Sequence, residues 1–454
     1  MPPSPPLYAV PIPERPKHGN VLVGIVWATF FNLCIILTHV TQLLLITFPR
    51  RILQRVTKSI FGTMLVAMTQ VFGPTTLIIS SGHGCDNLEF ERDGRGNVTG
   101  IKLNRHSVWA SMSNHQTLAD WVYIWTFAYL THLHQSIFII LKASIGKVPI
   151  IGWGAKLFGF IFLDRNWTSD RIVFAKQLKR IAEGSREHSQ DEMTLLIFPE
   201  GTIVTKNTRP KSLAFAEKMG LPDYEYTLLP RSTGLFFSLR NLVKQYPDLT
   251  LVDLTIGYPG ACNAPKSYPE DHFSLTIWFK QVPPPKLHIH IKRYKVITEV
   301  PLGDLSHVED NDGEPNERQA FDNWLRQRWQ EKDDLMKRFA TRESFVDKVD
   351  DVKNDDDEKS KLLKRSSTVE WNVRLRHQWE FVEVFSWFIP VAVGVTLWWL
   401  YNRFTRSSIT QLNVRPVMAS ATTKACCAAK AAAQAARSSS AALSKAAVTT
   451  KSEL

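Results

Sequence analysis

The sequence predicts an α/β domain, a mixed sheet flanked by helices, set between apolar segments that seek a membrane. Three observations carry that reading. Between residues 86 and 302, apolar runs of strand length alternate with amphipathic helical stretches, the pattern of a sheet covered by helices. Before this region, Asn20–Phe48 contains no Asp, Glu, Lys or Arg, and it exceeds the roughly 20 residues that a bilayer-crossing helix requires. After it, Phe381–Tyr401 is apolar again, with Glu380 and Glu383 at its start and Arg403 and Arg406 beyond its end.

Composition narrows the class. A chain of 454 residues, 44% apolar, can bury a sizeable core, which excludes global disorder. Mean hydropathy of −0.14 excludes a polytopic transporter, so membrane segments must be few and local. Five Cys exclude a disulfide scaffold, and no Cys-x-x-Cys or clustered Cys/His spacing suggests a metal site. Net charge is +12, yet the tail from Asn402 holds 8 Lys/Arg against one Glu and so carries seven of those charges. Basicity concentrated in an Ala/Ser-rich tail suits contact with anionic lipid and argues against a nucleic-acid groove.

The elements follow in order. Residues 1–19 are a Pro-rich extended arm. Residues 20–85 form a membrane-embedded helical region; Arg50, Arg51, Arg55 and Lys58 follow the first apolar run, and the positive-inside tendency places them in the cytosol. Ser59–Cys85, broken at Gly73-Pro74, fits a second span, a re-entrant helix, a helix half-sunk in one leaflet or a buried core helix. In residues 86–302, Gly94 and Gly96 mark a hairpin, and strands are expected at Ser107–Met112, Ser136–Leu141, Leu157–Leu163, Met193–Phe198, Glu225–Leu229, Leu249–Tyr258 and Leu287–Tyr294. Helices are expected at Ala119–His132, Arg171–Arg186, Lys211–Met219 and Thr233–Gln245. Residues 303–380 are acidic, with 18 Asp/Glu against 10 Lys/Arg over 303–360, and read as a surface helix around Phe321–Phe339 followed by a linker. Residues 381–401 are long enough for one tilted span, and 402–454 are a disordered basic tail.

Four strand-end turns carry the chemistry. The first is Asn114-His115-Gln116-Thr117-Leu118-Ala119-Asp120. On one continuous helix, positions five apart sit about 140° from each other and do not meet. With His115 in the turn before the helix and Asp120 in its first turn, the ring reaches back to the carboxylate. That is the base and orienter of a triad without a nucleophile of its own, able to take a proton from a substrate hydroxyl. The second turn is Phe162-Leu163-Asp164-Arg165, whose guanidinium suits a phosphate. The third is Phe198-Pro199-Glu200-Gly201-Thr202, an acid in an apolar turn beside a glycine that allows close backbone approach. The fourth is Leu229-Pro230-Arg231-Ser232-Thr233-Gly234. Taken singly, each is an ordinary turn or helix cap; four in this order, between membrane-seeking segments, are not.

This order resembles the glycerolipid acyltransferases of the lysophosphatidic-acid type, over about residues 85–300. Asn114-His115 and Asp120 match the first family motif, Gly159–Arg165 the second, Phe198–Thr202 the third and Leu229-Pro230 the fourth. Asp120-Trp121, Ala214–Lys218, Tyr224-Glu225-Tyr226 and Pro230–Gly234 are similar to the branch with lysocardiolipin and lysophosphatidylinositol acyltransferases. Many lysophosphatidic-acid enzymes carry a basic residue after Gly-Thr, whereas Ile203-Val204-Thr205 stands here and Lys206 comes later.

The resemblance implies the fold, a glycerolipid-acyltransferase-type sheet, and the reaction: acyl-CoA plus an anionic lysophospholipid gives a diacyl phospholipid and CoA at a membrane. It makes His115 the general base and Asp120 its orienter. It gives Asn114, Arg165, Glu200, Gly201, Thr202 and Pro230 to substrate binding, with Lys142 and Lys206 as further phosphate candidates. Acyl-CoA is a co-substrate, with no bound cofactor and no metal, since an imidazole base and a thiolate leaving group suffice. It also implies an endoplasmic-reticulum membrane with the catalytic domain facing the cytosol. The rivals are an enzyme making phosphatidic acid from 1-acylglycerol-3-phosphate, a CoA-independent transacylase using the same His115 and Asp120, and an inactive membrane scaffold. A hydrolase is disfavoured because no Gly-x-Ser-x-Gly elbow is present.

Overall fold

The structure is a computed structural model that describes residues 20–85, 88–102, 108–164, 166–186, 192–261, 268–274, 277–306, 313–346, 368–384 and 388–411, with Ala428, Lys430, Ala431 and Gln434. The Pro-rich arm, Arg165, much of the acidic linker and nearly all of the tail lie outside these residues. Two units are distinguished, Met1–Pro390 and Val391–Leu454.

The first unit begins with α1 (Val21–Leu44), capped by Asn20, whose side chain accepts the Val23 N–H. Among the described residues α1 is the one helix long and apolar enough to cross a membrane. Next comes α2 (Arg50–Phe72), which buries every residue of Phe61–Thr69. The chain then forms β1 (Thr76–Ser81), the hairpin β2 (Glu89–Arg92) and β3 (Val98–Lys102), β4 (Val108–Ser113), α3 (Asp120–Leu130), β5 (Ile137–Lys142), a 3₁₀ turn (Ala143–Lys147), α4 (Ile151–Leu157) and β6 (Ile161–Leu163). It continues through α5 (Trp167–Arg186), β7 (Met193–Ile197), α6 (Arg209–Met219), α7 (Ser232–Val243), β8 (Thr250–Gly257), α8 (Ile277–Lys280), β9 (Lys286–Lys295), α9 (Val296–Glu299), α10 (Pro315–Arg342), β10 (Thr368–Asn372) and α11 (Glu380–Val384). A further helix, α12 (Phe388–Gln411), runs into the second unit, where its Val393, Leu397, Trp398 and Tyr401 are exposed.

Among the described residues, eight strands form one sheet in the order β10-β1-β9-β8-β4-β7-β5-β6. The run from β8 to β6 is parallel throughout, and β9 and β10 pair antiparallel to β8 and β1. Alternation along β4 sends Val108, Ala110 and Met112 into a core shared with α5, α7 and α10. Trp109 turns the other way, towards Phe127 of α3. The chain leaving β4 passes over β7 to reach β5, and the chain leaving β7 returns past β4 to reach β8. Connections that diverge from two neighbouring strands open a crevice at their carboxyl ends. The His115 and Glu200 turns lie there.

Four sequence expectations change. Ser59–Cys85 is not one membrane segment: α2 ends at Gly73, before Pro74, and Thr76–Ser81 is an inner strand whose edges are taken by β9 and β10. Glu225–Leu229 is not a strand, because the N–H groups of Glu225, Tyr226 and Thr227 all donate to the Asp333 carboxylate instead of to a neighbour in the sheet. Residues 303–380 are not an appendage: Phe321, Leu325 and Trp329 of α10 belong to the main core, and β10 extends the sheet. The strand expected at Leu157–Leu163 is formed only by Ile161–Leu163, since α4 runs to Leu157; of the apolar stretch 381–401, residues 385–387 lie outside the described residues.

Candidate active site

The site is assembled from turns at the carboxyl ends of parallel strands. β4 delivers Asn114 and His115. The His115 Nδ1 lies 2.9 Å from Oδ2 of Asp120, the first residue of α3. Asp120 is fully buried, and its position in the first helical turn places a negative charge where the helix dipole favours one. The same Oδ2 accepts the N–H groups of Gln116 (2.7 Å) and Thr117 (3.0 Å). Oδ1 accepts the hydroxyls of Thr117 (3.2 Å) and Tyr258 (2.7 Å). Thus the loop winds around its own carboxylate, which is why residues five apart meet. A carboxylate opposite Nδ1 puts the proton on that nitrogen and leaves Nε2 as the basic one. The His115 side chain is 16% exposed, and its ring stacks on Phe198 with centroids 4.1 Å apart.

β7 delivers the third motif. Gly201 adopts φ +69°, a conformation glycine takes without strain, and its N–H closes the turn on the Phe198 carbonyl at 2.9 Å. Glu200 is buried; its two oxygens accept the N–H groups of His115 and Leu228, each at 3.3 Å. Burial pushes the Glu200 carboxyl well above its ordinary range, against the opposing pull of those N–H groups. The turns are also joined through their backbones, Val204 N–H to the His115 carbonyl at 3.0 Å and Arg231 N–H to the Pro199 carbonyl at 2.8 Å.

His115, Asp120, Glu200 and Gly201 are therefore brought together, with Thr202 half-buried beside Gly201 and Pro230 at the adjoining turn. Asn114 sits in the same turn, but both ends of its amide are engaged by Ile256 of β8: Nδ2 donates to the carbonyl at 2.9 Å and Oδ1 accepts the N–H at 2.8 Å. Lys142 is exposed at the end of β5, two strands from β4. Lys206 is exposed and lies 3.8 Å from Asp271. Arg165 is outside the described residues.

Other residues at the site gave no sequence signal of their own. Tyr258 stands one residue past β8 and reaches Asp120 across the crevice. Glu270 accepts the Leu118 N–H at 2.8 Å and, half-buried, is raised above its ordinary range by burial. Lys332 of α10, fully buried, donates to Asp253, to the Leu254 carbonyl (2.7 Å) and to Thr255 (3.0 Å) on β8. Trp121, the residue after Asp120, forms one wall of a small apolar cleft of about 80 Å³. Trp27 and Phe31 of α1, Leu65 and Met68 of α2, and Trp278 of α8 form the others.

A family profile described as "Acyltransferase" matches residues 98–256, the stretch that holds both β4 and β7 with their turns. An uncharacterized acyltransferase of Schizosaccharomyces pombe is 34% identical over 281 residues, 62% of this chain and 72% of the relative. The 2-acyl-1-lysophosphatidylinositol acyltransferase of Saccharomyces cerevisiae is 31% identical over 361 residues, 72% of this chain and 86% of the relative. Lysocardiolipin acyltransferase 1 of Gallus gallus is 33% identical over 230 residues, 50% of this chain and 52% of the relative. The dyad at the sheet edge, the profile and these relatives agree, and the chain belongs to the glycerolipid acyltransferase family, in the branch that holds the lysocardiolipin and lysophosphatidylinositol acyltransferases.

Proposed function

We propose that the protein is a membrane-bound, acyl-CoA-dependent acyltransferase that esterifies a free glycerol hydroxyl of an anionic lysophospholipid, lysophosphatidylinositol before others. The observation that carries this reading is the His115–Asp120 pair, 2.9 Å apart, with the next residue, Trp121, walling an apolar cleft.

In this mechanism Nε2 of His115 takes the hydroxyl proton as the oxygen bonds to the thioester carbonyl carbon. The resulting imidazolium is stabilised by Asp120. Collapse of the tetrahedral intermediate breaks the carbon–sulfur bond, and the CoA thiolate leaves, taking up the proton from Nε2. General-base help of this kind is worth on the order of 10²–10⁴ in rate. Glu200 holds the His115 and Leu228 N–H groups and so fixes the loop around the base. The apolar cleft receives an acyl chain, each methylene of which gains about 0.8 kcal/mol on leaving water. That gain, together with α1, is the reason to seat the site at a bilayer surface.

The acceptor preference rests on the third-motif loop. Val204, near the position where a basic residue would follow Gly-Thr, is buried, with its N–H on the His115 carbonyl. Arg231 runs instead past Gly201, where a Cβ would lie 3.7 Å from the Arg231 Cδ. We assign Arg231, with Arg165, to the phosphate of the acceptor.

The test is acyl transfer by the purified full chain in detergent, with labelled acyl-CoA and a panel of lysolipids. Transfer to lysophosphatidylinositol that requires added acyl-CoA, and that falls by about 10²–10⁴ in His115→Ala, supports the proposal. Transfer without acyl-CoA would favour the transacylase. Unchanged transfer by His115→Ala would remove the mechanism.

A further inference from the structure

The connection between β5 and β6 is strained in a way that a plain crossover does not need. Ile150 adopts φ +64° and ψ −60°, and the Ile151 N–H bonds the Pro149 carbonyl at 2.7 Å. This is a γ-turn of the strained, positive-φ kind with a β-branched residue at its centre. Just after it, Gly152 lies backbone to backbone on the 3₁₀ turn; a Cβ there would meet the Gly146 carbonyl at 2.6 Å. Strain of this sort persists where the surroundings fix it and tends to mark a functional segment.

What this segment does is display apolar side chains. Ile145, Val148, Ile151 and Trp153 are 36%, 42%, 50% and 50% exposed. No Asp or Glu occurs between Lys142 and Leu163, while Lys142, Lys147 and Lys156 are exposed. The surface is anchored on α1: Gln42 Nε2 donates to the Gly154 carbonyl at 3.2 Å, and the His39 and Trp153 rings lie 5.9 Å apart. Exposed Ile36, Leu43 and Leu44 of α1, with Ile46 and Phe48 beyond, offer the same lipid-seeking character. The segment leaves the carboxyl end of β5, the sheet edge that also carries His115.

We propose that the strained turn and α4 form a second membrane-docking element. Ile145, Val148, Ile151 and Trp153 enter the headgroup–acyl boundary of an anionic bilayer, and Lys142, Lys147 and Lys156 meet lipid phosphates. α1 tethers the chain, and this element sets the depth and tilt of the catalytic edge, so that lysolipid reaches His115 without leaving the bilayer. The inference rests on the membrane-bound reading above.

The test uses the full chain in bilayers of phosphatidylcholine and phosphatidylserine whose acyl chains are brominated just below the headgroup. The emission lost on Trp153→Phe isolates the Trp153 signal. Quenching of that signal by about twofold, weaker in phosphatidylcholine alone, is expected for a side chain at this depth. A Trp153 signal indifferent to bromine overturns the proposal. In a second arm, a Val148→Asp, Ile151→Asp protein is expected to lose about tenfold in kcat/KM on lysolipid embedded in vesicles and to keep its rate on a short-chain, monomeric lysolipid. Equal loss on both substrates, or no loss on either, overturns the proposal. The quenching arm needs no catalysis, so a protein that docks but transfers no acyl group refutes the enzymatic reading alone.

Discussion

Asp120 accepts five hydrogen bonds on two oxygens, and their arrangement predicts what an isosteric change will do. The three nitrogen donors share Oδ2, and the two hydroxyls share Oδ1. In Asp120→Asn the carbonyl can keep the nitrogen donors, and the amide can donate to hydroxyls that accept as readily as they donate. The fold and the His115 tautomer survive, while the charge that the proposed mechanism requires beside an imidazolium is lost. Acyl transfer is expected to fall by about 10²-fold or more with little change in melting temperature, read by initial rate and thermal unfolding side by side. Glu200 differs, because its pKa is raised by burial. A carboxyl that holds its proton more tightly when folded stabilises the protein fully below its unfolded pKa, near 4.3, and loses that contribution as pH rises through the folded value. Melting temperature should therefore decline with rising pH across that window in the native chain and less steeply in Glu200→Gln. Because glutamine offers one acceptor oxygen where Glu200 serves two N–H donors, the variant should also be less stable by about 1–3 kcal/mol.

α10 is the element that the sequence described least well, and the reason is physical. Its apolar positions Phe321, Leu325, Trp329 and Met336 recur at helical spacing, so the helix itself was legible. The adjacent Lys332 and Asp333 look like a solvated face in one dimension, yet both are buried. Lys332 is spent on β8, and Asp333 on the loop that leads to Leu228 and Glu200. Charges of this kind are distinguished from surface charges only by partners far away in sequence. The same long-range bonds explain why the strand expected at Glu225–Leu229 does not form: the β-like residues are there, but the N–H groups of Glu225, Tyr226 and Thr227 belong to Asp333. The first and third motifs were legible because each is local, a strand end followed at once by its chemistry. Tyr258 was not, since its role depends on β8 lying beside β4. It follows that α10, beyond the residues matched by the family profile, braces the loop from Glu225 to Leu228, which in turn donates to Glu200. Asp333→Ala leaves three N–H groups without their acceptor and should cost about 3–5 kcal/mol. Hydrogen exchange at Glu225, Tyr226 and Thr227 should accelerate together, ahead of exchange in β4; unchanged exchange at these amides would dissociate α10 from the loop.

Across the whole chain, the α/β class and most element positions follow from periodicity, whereas the extent of the folded unit does not. An end at residue 302 was a natural reading because charge rises sharply there. The fold nonetheless returns after the acidic stretch to complete the sheet, pairing Thr368–Asn372 with Thr76–Ser80. The returning segment also bonds around the hairpin and α3: Arg374 approaches Asp93 at 3.4 Å, the Leu375 N–H donates to Gln70 at 3.0 Å, and the Arg376 guanidinium lies 3.8 Å over the Tyr129 ring. Glu383 of α11 then accepts from Ser59 on α2 at 3.4 Å. Without this segment β1 would be an edge strand, carrying Leu77, Ile78 and Ile79, and exposed apolar edges pair with other chains. A protein ending at Val346 should accordingly aggregate on extraction and lose acyl transfer, although every residue of the four motifs is retained. A protein ending at Gln411 keeps β10 and α11 and should remain active in detergent. Size-exclusion profiles and initial rates of the two truncations decide the matter: equal solubility and equal rates would mean that β10 is an ornament on a sheet already complete at β1.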